Sequence, residues 1–293
     1  MIRAIAQEEV DVTNLVQRRI GPSLAEDNEA LARDYEAVSV DRQFVSGQRL
    51  VKVLGIAPGE RVLDVGCGTG LLAEHIAGIV GPAGRVLGID PLPLRVQMAR
   101  DKARDRSLVN IEFRVEDAND LSSIAAASFD AITLNAVFHW LPDKAGPLRE
   151  FARVLRGRGR LGIAGTAKDR NSAMRQVIAE TLTRPPFAAY PRAGAYVWRV
   201  DEAEMRTLLD AAGFDVTEIE LYSVPHVHAS PEAAVRYAEA SSFGNLLAHL
   251  PMELRAAARA ALVGNLQTVV AADGSIAEDG RRMIAIGVKR YGL

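Results

Sequence analysis

The stretch LDVGCGTG, residues 63–70, places an acid, Asp64, ahead of three alternating glycines, Gly66, Gly68 and Gly70. Glycines in such a loop tolerate positive φ and carry no side chain to hold a ligand away. A second acid, Asp90, ends the run GRVLGID at 84–90. A carboxylate there accepts from both hydroxyls of a ribose, which points to a nucleoside without saying which one. The dinucleotide fingerprint G-x-G-x-x-G fails, because Leu71 occupies its third glycine position. Asp64 would also repel a pyrophosphate, whereas it suits a ligand that ends in an ammonium group.

The other reactive side chains say less. Cys67 is the single cysteine, so an internal disulfide and a cysteine-based metal cluster are both excluded. Inside the loop it reads as a small residue that fits. His75 reads as a surface or packing residue. His226 and His228 lie two apart on an apparent strand and so share a face, but no third metal ligand is suggested and no metal is expected.

These residues need elements to hold them. Short apolar runs at 61–66, 84–90, 111–117, 129–135 and 159–166 alternate with helical patterns at 70–81, 94–105 and 143–155. That rhythm predicts βαβ units and a mostly parallel sheet with helices on both faces. Residues 1–35 read as polar helix. After Thr166 the rhythm breaks into a helix and a proline- and aromatic-bearing segment over 168–198. An amphipathic helix at 201–214, a strand at 215–228, a helical stretch at 231–271 and a closing strand at 283–291 follow.

Composition narrows the class. The 293 residues carry a net charge of −2, which argues against a polyanion-binding face and hence against nucleic acid. The N-terminus lacks an apolar signal region, and no stretch nears the ~18 apolar residues of a membrane span. A soluble, cytoplasmic protein is expected.

The pattern D-x-G-x-G-x-G followed by an acid in GID resembles the class I S-adenosylmethionine-dependent methyltransferases, over about residues 35–166 and in particular their type 11-like small-molecule members. Further motifs fall in order: VEDA (115–118), ITLNAVFHWLPD (132–143) and REFARVLRGRGRL (149–161). The resemblance implies a Rossmann-like seven-stranded mixed sheet with a helical cap. It also implies S-adenosyl-L-methionine as cofactor and S-adenosyl-L-homocysteine as product. Carried over residue by residue, it puts Asp90 at the ribose, Pro91 and Leu92 against the cofactor, and Asp117 and Ala118 at the adenine. Asn135 and Ala136 border the cofactor, Asp64, Gly66, Cys67, Gly68 and Gly70 form its loop, and Tyr35, Arg42 and Gln43 lie over the methionine end.

The acceptor side is read more coarsely. His139 and Trp140 follow the fourth strand, toward the transferable methyl, and His139 is the first candidate base if the acceptor is a hydroxyl. FHWLPD looks like the segment of carboxylate-methylating relatives, and ASSFGN (240–245) resembles an insert of small-molecule methyltransferases. Phe187, Tyr190, Tyr196, Trp198 and Phe243 are expected to form a partly aromatic pocket. Residues 1–45 would be a helical segment covering the site and 46–166 the cofactor-binding core. Residues 167–228 would hold cap, helix and strand six, 229–282 a helical insert and 283–293 the last strand. The expected activity is methylation of a small organic carboxylate or hydroxyl. The rivals are a non-catalytic cofactor-binding regulator, a methyltransferase acting on RNA, protein or a carrier-bound acyl group, and an NAD-dependent oxidoreductase. The oligomeric state is left open.

Overall fold

The structure is a computed structural model and describes residues 28–39, 43–168, 172–191, 197–242, 245–278 and 280–291. Arg42, Tyr196 and Phe243, expected at the site, lie outside the described residues, as does the side chain of Tyr35.

Five strands take the expected order of a doubly wound sheet: β1 (Arg61–Val65), β2 (Arg85–Asp90), β3 (Ile111–Val115), β4 (Phe129–Asn135) and β5 (Leu155–Thr166). Together with β6 (Phe214–Ser223) and β9 (Arg281–Lys289) they form one seven-stranded sheet in the order β3-β2-β1-β4-β5-β9-β6. Contacts among β1 to β5 are parallel, and β9 runs antiparallel to both β5 and β6. The mixed sheet is therefore as expected, and a single reversed strand, β9, produces the antiparallel ending.

Strand residues alternate between two cores. Val62, Val86 and Ala131 face α2 (Val45–Leu54), α3 (Leu71–Val80) and α4 (Pro93–Asp105). Leu63, Leu87 and Ile132 face α5 (Ala145–Val154) and α7 (Glu202–Ala211). Burial on both faces explains why these strands read as almost unbroken apolar runs. The α7 start is a full capping box, with Asp201 accepting from the Glu204 N–H and Glu204 accepting from the Asp201 N–H.

The C-terminal third departs from the sequence expectation. The run 215–228 is two strands, not one. Val224 N–H reaches Gly280 O, Pro225 has no N–H to continue the ladder, and β7 (His226–His228) pairs with β8 (Ile276–Glu278) in a separate two-stranded sheet. β8 lies beyond the helical stretch expected at 231–271, within the insert expected over 229–282. It joins α6 (Ala173–Leu182), α8 (Pro231–Ala240) and α9 (Met252–Leu266) around a third core that includes Met174, Ile178, Leu246, Leu262 and Ile276. The remaining helix, α1 (Glu29–Ser39), packs against α8. Among the described residues no helix is long and apolar enough to cross a membrane.

Candidate functional site

The loop between β1 and α3 sits at the carboxyl ends of the central strands, where strand order reverses and open α/β sheets bind ligands. Gly66, Gly68 and Gly70 all take positive φ, at +68°, +54° and +90°. The N–H groups of Gly66 and Cys67 both donate to Ile89 O, at 2.8 and 2.9 Å, which pins the loop to the end of β2. Asp90 closes the ring: its carboxylate accepts from Gly68 N–H at 2.9 Å and from Leu92 N–H at 3.0 Å. Cys67 is buried, and burial, followed by the charges of Asp90 and Asp64, pushes its thiol well above the ordinary range. Its side chain packs in the core with Leu72, Ala73 and Phe113.

Asp64 has an unusual environment. It is buried, and Oδ1 accepts from Thr133 Oγ1–H at 2.7 Å, while Oδ2 is buried with no hydrogen-bond partner. Burial raises its carboxyl to about 7; the Thr133 hydrogen bond opposes the shift and the Asp90 charge adds to it. Close by, Asn135 donates from Nδ2 to Gln43 O at 2.9 Å and leaves Oδ1 buried without a partner. Both residues line one small recess, with Gln43, Gly66, Cys67 and Gly68. Two buried oxygens without partners thus belong to residues bordering one recess.

Beside the recess is a cleft of about 330 Å³ lined by Gly66, Gly68, Asp90, Pro91, Leu92, Asp117, Ala118, Asn135, Ala136 and Trp140. Asp117 is exposed, and its Oδ1 accepts from the Asn119 backbone and side chain, at 2.9 and 2.6 Å. That oxygen makes a turn with Asn119. A larger chamber of about 500 Å³ lies between the strand ends and the cap. His139, Trp140, Arg175, Tyr190, Arg199 and Arg282 are part of its wall. The three spaces share wall residues. Asn135, Gly66 and Gly68 belong to recess and cleft, Gln43 to recess and chamber, and Ala136 and Trp140 to cleft and chamber. At this junction Ala136 holds φ at +61°, uncommon for a residue with a Cβ, and its N–H donates to Ala164 O at 2.7 Å.

Comparison with known proteins agrees with this arrangement. A methyltransferase-domain family matches residues 56–213, more than half of the chain. The chain belongs to that family, the class I S-adenosylmethionine-dependent methyltransferases. It is 35% identical to the nocamycin O-methyltransferase of Saccharothrix syringae over 46% of this chain and 48% of that one. It is 38% identical to the aklanonic acid methyltransferase DauC of a Streptomyces species over 43% and 57%. The chain thus spans about half the length of these curated relatives. The YcgJ protein of Bacillus subtilis shares the fold, with a TM-score of 0.59 at 20% identity, over 85% of this chain and all of that one.

Within this methyltransferase fold, the expected acceptor residues separate. His139, Trp140 and Tyr190 line the chamber. Phe187 does not; it is buried in the third core with Met174 and Ile178, because the turn at 187–189 points it inward. Trp198 lines a small side recess with His139 and Arg199 instead of the chamber. His226 and His228 stack edge to face at 4.4 Å, each against the Tyr237 ring at 5.1 Å. His139 is half-buried. Burial first, then the charges of Arg199, Arg282, Lys144 and Arg175, hold its imidazole well below the ordinary range, so it stays neutral.

Several residues escaped the sequence reading. Glu36 on α1 lines the recess, accepts from Thr69 Oγ1–H at 2.6 Å and pairs with Lys102, tying α1 to the glycine loop. Arg95, almost wholly buried, lines the cleft. Arg175, Arg199 and Arg282 bring charge to the chamber from three elements remote in sequence, and no local motif announces them.

The double bonding of Asp90 changes what its removal should do. Asp90→Ala is expected to weaken S-adenosylhomocysteine binding by roughly 1.5–3 kcal/mol, as for a hydrogen bond to a charged group. It should also cost about 1–3 kcal/mol of stability, since Gly68 and Leu92 lose their buried acceptor. Calorimetry and urea melts separate the two effects, and unchanged affinity would remove the ribose assignment.

Proposed function

We propose that this chain transfers a methyl group from S-adenosylmethionine to a small organic acceptor, a carboxylate or a hydroxyl, and releases S-adenosylhomocysteine. The observation that carries this reading is the junction at Gln43, Asn135, Ala136 and Trp140. Ala136 and Trp140 line both a nucleoside-sized cleft and a chamber of small-molecule size, so the two lie side by side. The cofactor, when bound, supplies a methyl on a sulfonium centre.

The residues present fit that cofactor. The partnerless oxygens of Asp64 and Asn135 suit an ammonium group in the recess. Asp90 lines the cleft and would accept from ribose hydroxyls there. Asp117 and Ala118 border the far end of the cleft, where adenine would lie. Ala136 and Trp140 would hold acceptor and methyl donor in one line, and positioning of that kind is the main contribution a protein makes to such a transfer. His139, held neutral, is a weak base, which favours an acceptor that arrives already ionised. The two relatives support the acceptor class as far as their names go: one is an O-methyltransferase and the other acts on aklanonic acid.

Label tracking tests the reading. The protein is incubated with methyl-labelled S-adenosylmethionine and host extract split into small-molecule, protein and RNA fractions. Label is expected among the small molecules, and its loss in mild alkali would mark an ester. Label confined to protein or RNA would overturn the acceptor class. S-adenosylhomocysteine binding without label in any fraction would favour a non-catalytic binding role.

A further inference from the structure

Resting on the acceptor-chamber reading above, we infer that the chamber selects an organic carboxylate on an apolar body, with the carboxylate held among Arg175, Arg199 and Arg282. Arg175 comes from α6, Arg199 from the segment leading into α7, and Arg282 from β9, yet all three line one cavity of about 500 Å³. Among its described lining residues there is no aspartate or glutamate. The neighbouring carboxylate of Glu278, fully enclosed behind the wall, accepts from Arg175 Nε–H at 3.2 Å and from Ser172 Oγ–H at 3.3 Å, and so orients Arg175.

Arg282 is set in place from behind as well. It is only 3% exposed, and its Nε–H donates to Ser46 Oγ at 2.9 Å, which in turn meets Tyr222 OH at 2.7 Å. Three guanidinium groups converging on one cavity, with no carboxylate among its described lining residues, give that wall a positive potential that favours an anion. Their planar donors match a carboxylate. The rest of the wall is apolar: Met174, Ile178, Leu182, Val197 and Leu246 would cover a hydrocarbon or aromatic body.

The chemistry agrees with the electrostatics. His139 faces Arg199, Arg282, Lys144 and Arg175, and burial among them keeps its imidazole neutral. Lys144 is engaged in turn, donating to Phe138 O and to Leu141 O at 2.5 and 2.6 Å. A carboxylate acceptor has no proton to give up, so no base is required. Its oxygen forms the new bond to the methyl carbon, the C–S electron pair stays on sulfur, and the products are a neutral ester and a neutral thioether. An uncharged ester has no claim on the arginines, which helps it leave.

The test uses 4-phenylbutyrate and its carboxamide as probes of equal shape and different charge. Trp140 in the chamber wall and Trp198 in the adjoining recess are the two tryptophans of the chain, so their fluorescence reports binding there. On the full-length protein saturated with S-adenosylhomocysteine, the acid is expected to bind at least about tenfold tighter than the amide. In Arg199→Gln the preference should fall below about threefold while affinity for S-adenosylhomocysteine stays unchanged, showing that the fold is intact. Arg175→Gln, on the chamber side of Glu278, should reduce the preference independently.

Equal binding of acid and amide would overturn the inference. So would a preference that survives both substitutions, or no acid binding below about 10 mM. A protein that fails to bind S-adenosylhomocysteine defeats the cofactor reading instead, and the acid-to-amide contrast measured without it still decides the present one.

Discussion

Asparagine at position 64 is expected to stabilise the ligand-free protein above pH 7 and, in the same molecule, to weaken S-adenosylhomocysteine binding. The Asp64 carboxyl is raised from 3.8 to about 7, first by burial. Between those values the folded chain holds a proton that the unfolded chain has released. The stabilising contribution is complete below about pH 4 and is lost as pH rises through about 7. Above that, the ionised, half-satisfied carboxylate costs the fold on the order of 4 kcal/mol. Asp64→Asn removes the charge but leaves a polar group where Oδ2 has no partner, so a gain of about 1–3 kcal/mol is expected at pH 8.

Ligand binding should show the opposite sign. An ammonium group prefers the ionised form, so below pH 7 binding must first expel the Asp64 proton. The association constant is expected to rise about tenfold per pH unit up to about 7 and then level off. In Asp64→Asn the same curve should be flat and lie below the wild-type plateau. Calorimetry from about pH 5.5 to 8, with thermal melts at the same points, measures both. A flat wild-type curve would remove the ammonium assignment.

The second large effect separates two glycines that look alike in the sequence. A Cβ on Gly66 would overlap the Val137 side chain, and the residue already sits at φ +68°. Backbone strain and overlap together are expected to cost Gly66→Ala roughly 2–5 kcal/mol of stability. A Cβ on Gly68 meets nothing within 4 Å, so Gly68→Ala should lose only about 1 kcal/mol, from its φ of +54°. Gly68 nevertheless lines both recess and cleft, where the new methyl would face the ligand. Urea melts should therefore single out Gly66→Ala. S-adenosylhomocysteine titration should single out Gly68→Ala, with a loss of at least about tenfold. Adding Val137→Ala should restore much of the stability of Gly66→Ala. Without that rescue the overlap is not the cause.

Much of the fold was legible in the sequence for a local reason. Parallel strands buried on both faces leave apolar runs, and amphipathic helices leave a 3.6-residue period; both survive in short windows. β1 to β5 and the helices between them follow those windows closely. The loop was legible in the same way, because positive φ at Gly66, Gly68 and Gly70 demands a residue type, and Asp64 and Asp90 flank it within a few dozen positions. The split between β6 and β7 was less visible. Alternation runs through 215–228, and only Pro225, with a ladder partner at Gly280 far along the chain, ends the pairing.

By itself, then, the sequence determined the doubly wound core, its glycine loop and the two acids that suit a nucleoside bearing an ammonium group. Backbone conformation and short-range hydrogen bonding dictate those features. The tertiary structure alone decided the acceptor side. It turned Phe187 into core, moved Trp198 to a side recess and set His139 where burial and neighbouring cations lower its imidazole below the ordinary range. It also gathered Arg175, Arg199 and Arg282 around one cavity. A pocket wall is assembled from side chains whose elements meet only when the cap closes on the sheet, and no spacing along the chain records that meeting.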